Sequence, residues 1–176
     1  MEYLFTSERL GFRNWQEADI PLLAEMNSDP VVMEFFPALQ DHQQTIQFVR
    51  RMQKQFVEKG YCYFAVDRLD HNECIGFIGL CDQDYKADFT PCVDIGWRLK
   101  QTAWHNGYAT EGAKRCLDYG LRELHLKKIY AVAPKVNTRS EHIMKSIGMH
   151  KVCEFNHPAL HEDTRLNPCI LYLKEG

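Results

Sequence analysis

Apolar positions recur every third or fourth residue along DHQQTIQFVRRMQKQFVEKG, residues 41–60, and put Ile46, Val49, Met52 and Phe56 on one face. The spacing predicts a helix: Asp41 can cap its start with Gln44 reaching back, and Gly60 can end it in a left-handed conformation. The period then changes. YCYFAVDR, ECIGFIGLCD and PCVDIGWRL alternate as strands do, with the first two joined at LDHN, which predicts an antiparallel meander. From Gly107 to Leu124 the pattern is helical again, with Ala109, Ala113, Cys116, Leu117, Leu121 and Leu124 on the apolar face. KKIYAVAP follows as a short buried strand. NTRSEHIMKSIG is a second well-bounded helix, with Thr138 and Glu141 at capping-box spacing and Gly148 beyond its end, and MHKVCEF and CILYL close the chain as strands. Ahead of all this, RLGFR reads as a first strand, EADIPLLAEMNS as a short helix, and Asp29-Pro30 as the cap and first turn of another. The order is mixed α/β (α+β), with an antiparallel first part and β–α–β–α in the second.

Composition narrows the function classes. A chain of 176 residues with 45% hydrophobic and 12% aromatic residues fits one domain with a core of its own, spanning 1–176. No linker, repeat or low-complexity run divides it. A net charge of −3 gives no general attraction to nucleic acid or to an anionic membrane surface. No stretch is apolar over the roughly 18–20 residues that span a bilayer, and the start of the chain lacks the order of a signal peptide. A cytoplasmic protein is expected. The seven cysteines stand singly, without a C-x-x-C pair, so they read as small apolar residues in a reducing compartment and no metal is expected.

The stretch TAWHNGYATEGAKRCLDYGLREL raises a chemical question. A strand ending at Leu99, a turn, and a glycine at the start of a helix expose unpaired N–H groups at the positive end of a helix dipole. That arrangement suits an anion such as a pyrophosphate, with Gly107 permitting close approach, Ala109 keeping the first helical turn low and Thr110 offering a hydroxyl. A simple strand-to-helix turn would need the same glycine.

Three motifs in register, CVDIGWRL, WHNGYATEGAKRCLDYGLREL and NTRSEHIMKSIGM, together resemble the GNAT superfamily of acetyl-CoA-dependent N-acetyltransferases. The resemblance runs over nearly the whole chain and is nearest to the branch named for ribosomal-protein N-terminal acetyltransferases. It implies a twisted, mostly antiparallel sheet splayed into a V between CVDIGWRL and KKIYAVAP, with helices on both faces. It also implies that Trp104, His105, Asn106, Gly107, Tyr108, Ala109 and Thr110 form the loop that holds the CoA pyrophosphate. Two positions depart from the family pattern: Trp104 replaces a polar first residue, and His105 stands where a second glycine is frequent.

Further roles follow from the resemblance alone. The backbone of Ile95, Trp97 and Leu99 would pair with the pantetheine arm, and Asn137 would contact it. Ser140 would donate to the departing sulfur, as a general acid. Asp94 stands where the branch often has an acid and is the first candidate for general base, with Asp82 and Asp84 behind it. The expected reaction is direct transfer of acetyl from acetyl-CoA to a primary amine, either a protein N-terminus or a small amine. A CoA-binding protein of the same fold without turnover is the alternative, and a homodimer is admitted. Phe35, Phe36, the 41–59 helix and the loop 156–168 are the segments able to wall the acceptor end. His157 and His161 flank Pro158, which breaks a regular helix across them and argues against a metal pair.

Overall fold

The computed structural model describes residues 2–160 and 162–176. Its centre is one eight-stranded sheet ordered β1-β2-β3-β4-β5-β6-β8-β7. The strands are β1 Phe5–Thr6, β2 Leu10–Arg13, β3 Tyr63–Arg68, β4 Glu73–Gln83, β5 Cys92–Leu99, β6 Lys128–Pro134, β7 His150–Phe155 and β8 Cys169–Glu175. Strands β1 to β5 pair antiparallel in sequence order, and β8 runs antiparallel between β6 and β7. Between β5 and β6 the pairing is parallel, and a single register pair, Asp94 with Tyr130, joins them. Toward Leu99 the two strands part, which opens the expected V.

The helices are α1 Ile20–Ser28, α2 His42–Lys59, α3 Tyr108–Asp118 and α4 Thr138–Ser146. Adjacent strand residues face opposite ways, so β4 sorts the helices between the two faces. Phe77 stacks with Tyr63 and meets Trp15 and Phe48, the last on α2. Its neighbour Ile78 lies under Gly112 of α3, where an added Cβ would stand 2.4 Å from the Ile78 side chain. The sheet therefore carries α1 and α2 on one side and α3 on the other, with Leu10, Phe12, Phe64, Ile75, Ile78, Leu80 and Ile129 fully buried.

Helix α2 has the predicted capping box and the left-handed Gly60 at its end. The 107–124 helix continues from α3 into one π turn, Tyr119–Glu123, where i→i+5 bonding replaces the α pattern. Three expectations need correction. The segment after Asp29-Pro30 is a series of turns rather than a helix, closed by Met33 N–H to Asp29 O and Phe36 N–H to Met33 O. Asn137, not Thr138, caps α4, because its side-chain oxygen accepts from the Ser140 N–H at 3.1 Å. RLGFR holds the second strand rather than the first, because Phe5–Thr6 forms a β1 too short for alternation to reveal.

Candidate active site

The opening of the V ends in a cavity of about 490 Å³. Four segments line it: the end of β5 with Trp97, Arg98 and Leu99, the loop into α3, the start of α4, and the turn carrying Phe35 and Phe36. Of the residues expected to bind the cofactor, Trp97, Leu99, Trp104, His105, Gly107, Tyr108, Ala109, Thr110, Asn137 and Ser140 all line it. Ile95 and Asn106 do not. Ile95 is buried in the core, and the Asn106 amide donates to the Trp104 carbonyl at 2.8 Å, so it shapes the loop.

The loop owes its form to two left-handed residues, His105 with φ 62° and Gly107 with φ 80°. At Gly107 an added Cβ would approach only the Arg9 guanidinium, at 3.6 Å, so conformation rather than space demands glycine there. Trp104 explains its departure from the family pattern: its indole N–H donates to the Leu99 carbonyl at 2.7 Å and ties the loop to the end of β5. No side chain caps α3. The first backbone bond of the helix is Glu111 N–H to Gly107 O, and the N–H groups of Tyr108, Ala109 and Thr110 have no partner among the described residues. These exposed donors fit a pyrophosphate. Arg9, which the sequence pattern does not single out, adds a cation beside them while its backbone and side chain bind Glu111.

At α4, the Asn137 side-chain oxygen is spent on capping, which leaves its amide N–H₂ for a ligand. The Ser140 hydroxyl has no protein partner among the described residues and faces the cavity. Arg139 reaches across to Glu34 at 2.6 Å and lies over the Trp104 ring at 4.9 Å, joining the α4 end to the Phe35–Phe36 turn.

The three candidate bases separate. Asp82 is exposed and occupied, accepting from the Tyr61 hydroxyl at 2.5 Å and pairing with Lys59 at 3.7 Å. Asp84 is exposed. Asp94 does not line the cavity; it is partly buried at the closed end of the V, on the α1/α2 side, where its carboxylate accepts from the Tyr63 hydroxyl at 2.5 Å. Burial pushes its pKa up to about 6, against the hydrogen bonds from Tyr63 and Gln83. The amino-acid pattern marks Tyr63 only as a core aromatic. Its signal lies in the register, because Gly79 and Gly96 sit side by side on β4 and β5 beside it, and a Cβ at Gly96 would stand 3.0 Å from its ring.

A profile described as an acetyltransferase (GNAT) domain matches residues 9–150. The chain belongs to the GNAT acetyltransferase family. It is 31% identical to the uncharacterized N-acetyltransferase YnaD of Bacillus subtilis over 83% of this chain and 82% of that one. Among solved structures, a GNAT-family acetyltransferase from Bacillus anthracis superposes with a TM-score of 0.80 at 26% identity, over 97% of this chain and 96% of that one. RimL, a ribosomal L7/L12 α-N-protein acetyltransferase in complex with coenzyme A, shares the fold with a TM-score of 0.77 at 13% identity, over 99% and 98%. This GNAT chain is thus an acetyl-CoA-dependent acetyltransferase. Among the described residues no helix is long and apolar enough to cross a membrane, and the seven cysteines are free thiols.

Proposed function

We propose that this chain transfers acetyl from acetyl-CoA to a primary amine by direct attack in a ternary complex. The observation that carries the reading is the meeting of three features in one cavity: unbonded N–H groups at the start of α3, the free Ser140 hydroxyl, and the parted edge of β5. Pyrophosphate at α3 and pantetheine along β5 would bring the thioester toward the closed end of the V. Asp94 waits there. The acceptor's ammonium must lose a proton before the neutral amine can attack, and a carboxylate raised to about 6 is a base suited to neutral pH. Tyr63 holds that carboxylate by donating a hydrogen bond to it, and Ser140 donates a hydrogen bond to the thiolate as it leaves.

The acceptor would enter past the Phe35–Phe36 turn and the 156–168 loop. These segments touch: Arg165 donates to the Glu34 carbonyl, and to the Phe36 carbonyl at 3.3 Å. His157 of the same loop packs on Tyr85, ring centres 4.3 Å apart, while His161 lies outside the described residues. The RimL acceptor is a protein N-terminus, and a protein α-amine or a small amine remains the acceptor class here. Release of free thiol from acetyl-CoA, measured over a panel of peptides, amino acids and polyamines, tests the reading. Acceptor-dependent thiol supports it; binding of acetyl-CoA without turnover on any amine defeats it.

A further inference from the structure

The fold treats two inward-facing arginines in very different ways, Arg13 being buried and Arg98 half-buried. Arg13 is neutralised on both edges of its guanidinium: Nε and Nη2 donate to the two oxygens of Asp67 at 2.7 and 2.9 Å, and Nη1 and Nη2 to those of Asp19 at 2.7 and 2.8 Å. Arg98 on β5 has no carboxylate partner among the described residues. Among the described residues its one hydrogen bond runs from Nη1 to the Asn27 side-chain oxygen at 2.5 Å. Nε, shut away from solvent, and Nη2 have no partner among the described residues. The unfilled edge, Nε with Nη2, is the edge that Asp67 fills on Arg13.

This half-finished site is held in place from behind. Asn27 of α1 is fully buried, and its amide N–H₂ donates to Thr45 Oγ1 at 2.9 Å, which turns its oxygen toward Arg98. Thr45 is held in turn by the Asp41 carbonyl at the cap of α2. The guanidinium lies between two rings, 4.0 Å from the centre of Phe36 and 5.3 Å from that of Phe77. Rings and a neutral amide leave its charge uncompensated, and a half-buried charge without a counter-ion is costly. Burial pulls its pKa down to about 10, so it remains a cation at neutral pH. Arg98 and Phe36 both line the cavity, and Arg98 projects from the same face of β5 as Asp94, with Gly96 and the Tyr63 ring that lies over it between them.

We infer that the Nε–Nη2 edge of Arg98 is the subsite for a carboxylate carried by the acceptor amine, so that the acceptor class is an anionic amine of the amino-acid type rather than a polyamine. The inference rests on the acetyl-transfer reading above. Arg98 would receive the carboxylate side-on while the amine points toward Asp94, with the Phe36 ring packed against the guanidinium. A charge-assisted pair of this kind is worth about 1.5–3 kcal/mol, or roughly ten- to a hundredfold in affinity.

The experiment compares amino acids with their own primary amides, and phosphoethanolamine with ethanolamine, in thiol release and in thermal shift of the CoA-saturated protein. Wild type should prefer each amino acid over its amide by about tenfold or more, and Arg98→Met should erase that preference while leaving the acetyl-CoA shift and the amide kinetics in place. Asn27→Asp keeps the arginine and supplies it with a carboxylate from the protein, so it should also lose the preference without unfolding. Wild type treating acid and amide alike, in turnover and in binding, overturns the subsite. So does a preference that survives both variants, or one seen only for the phosphate pair. A preference that appears only when succinyl-CoA replaces acetyl-CoA places the carboxylate on the acyl group and overturns it as well. Turnover on amides alone leaves acetyl transfer standing without the subsite, whereas no acetyl-CoA shift at all removes both.

Discussion

Asp94 and Ser140 stand on opposite sides of the proposed reaction, and each has a signature of its own. In the unfolded chain Asp94 titrates at pH ~3.9, and in the fold at about 6, so the folded state holds the proton more tightly. Its contribution to stability is therefore complete below about pH 4 and is lost as pH rises through 6, by about 2–3 kcal/mol for a shift of this size. The rate should move the other way, because only the carboxylate accepts a proton. We expect kcat/KM to rise with an apparent pKa about 6. Asp94→Asn should lose that limb and flatten the stability curve between pH 4 and 6, as read by thermal melts across pH; a wild-type profile would clear Asp94 of the role. For Ser140→Ala, kcat should fall more than acetyl-CoA affinity, since the hydroxyl has no hydrogen-bond partner among the described residues and its proposed role is toward the departing thiolate. Equal losses would mark it as a binding residue.

The start of α3 is where local form and ligand chemistry coincide. Saturating acetyl-CoA at a hundred times its Kd should stabilise the fold by about 2.7 kcal/mol, several degrees in Tm. Gly107→Glu should abolish that shift, because it puts a carboxylate and a strained φ where phosphate approaches. An unchanged affinity in a folded variant would reduce the loop to a turn. Glu111 anchors the same end from behind, accepting from the Ser7 hydroxyl and from the backbone and guanidinium of Arg9. Glu111→Ala should cost about 1–2 kcal/mol in a denaturant melt, the guanidinium part being discounted for exposure. Elements with strong local signals, α2 with its capping box and α3 with its glycine, are legible in the amino-acid pattern itself. The stretch 29–40 is not, because Asp29 spends its side chain on the Val31 N–H and its carbonyl on Met33, closing tight turns where a cap was expected. The family resemblance marks Asp94 as a candidate. The alternation of β5 cannot reveal Tyr63 or the Asn27–Arg98 pair, whose meaning comes from partners 31 and 71 residues away in sequence.

Across the whole molecule, the proposed acceptor entrance is assembled from segments far apart in the chain, which Arg165 ties together. Removing Arg165, which bonds the carbonyls of Glu34 and Phe36, should loosen both walls at once. Arg165→Ala and Phe36→Ala are expected to raise the acceptor KM several-fold with acetyl-CoA affinity nearly unchanged; weakened acetyl-CoA binding with an intact acceptor KM would place the entrance elsewhere. The single rung between β5 and β6 has a consequence of a different kind. Where those strands part, neither completes the other's ladder, so the sheet has two inner borders as well as its outer ones. Borders of that sort invite the strand of another copy. A pantetheine arm lying along β5 would act as a missing strand and close the seam. Cells short of acetyl-CoA would then hold this protein in its stickiest form, and light scattering during slow heating should show aggregation that CoA suppresses at temperatures well below the unfolding midpoint.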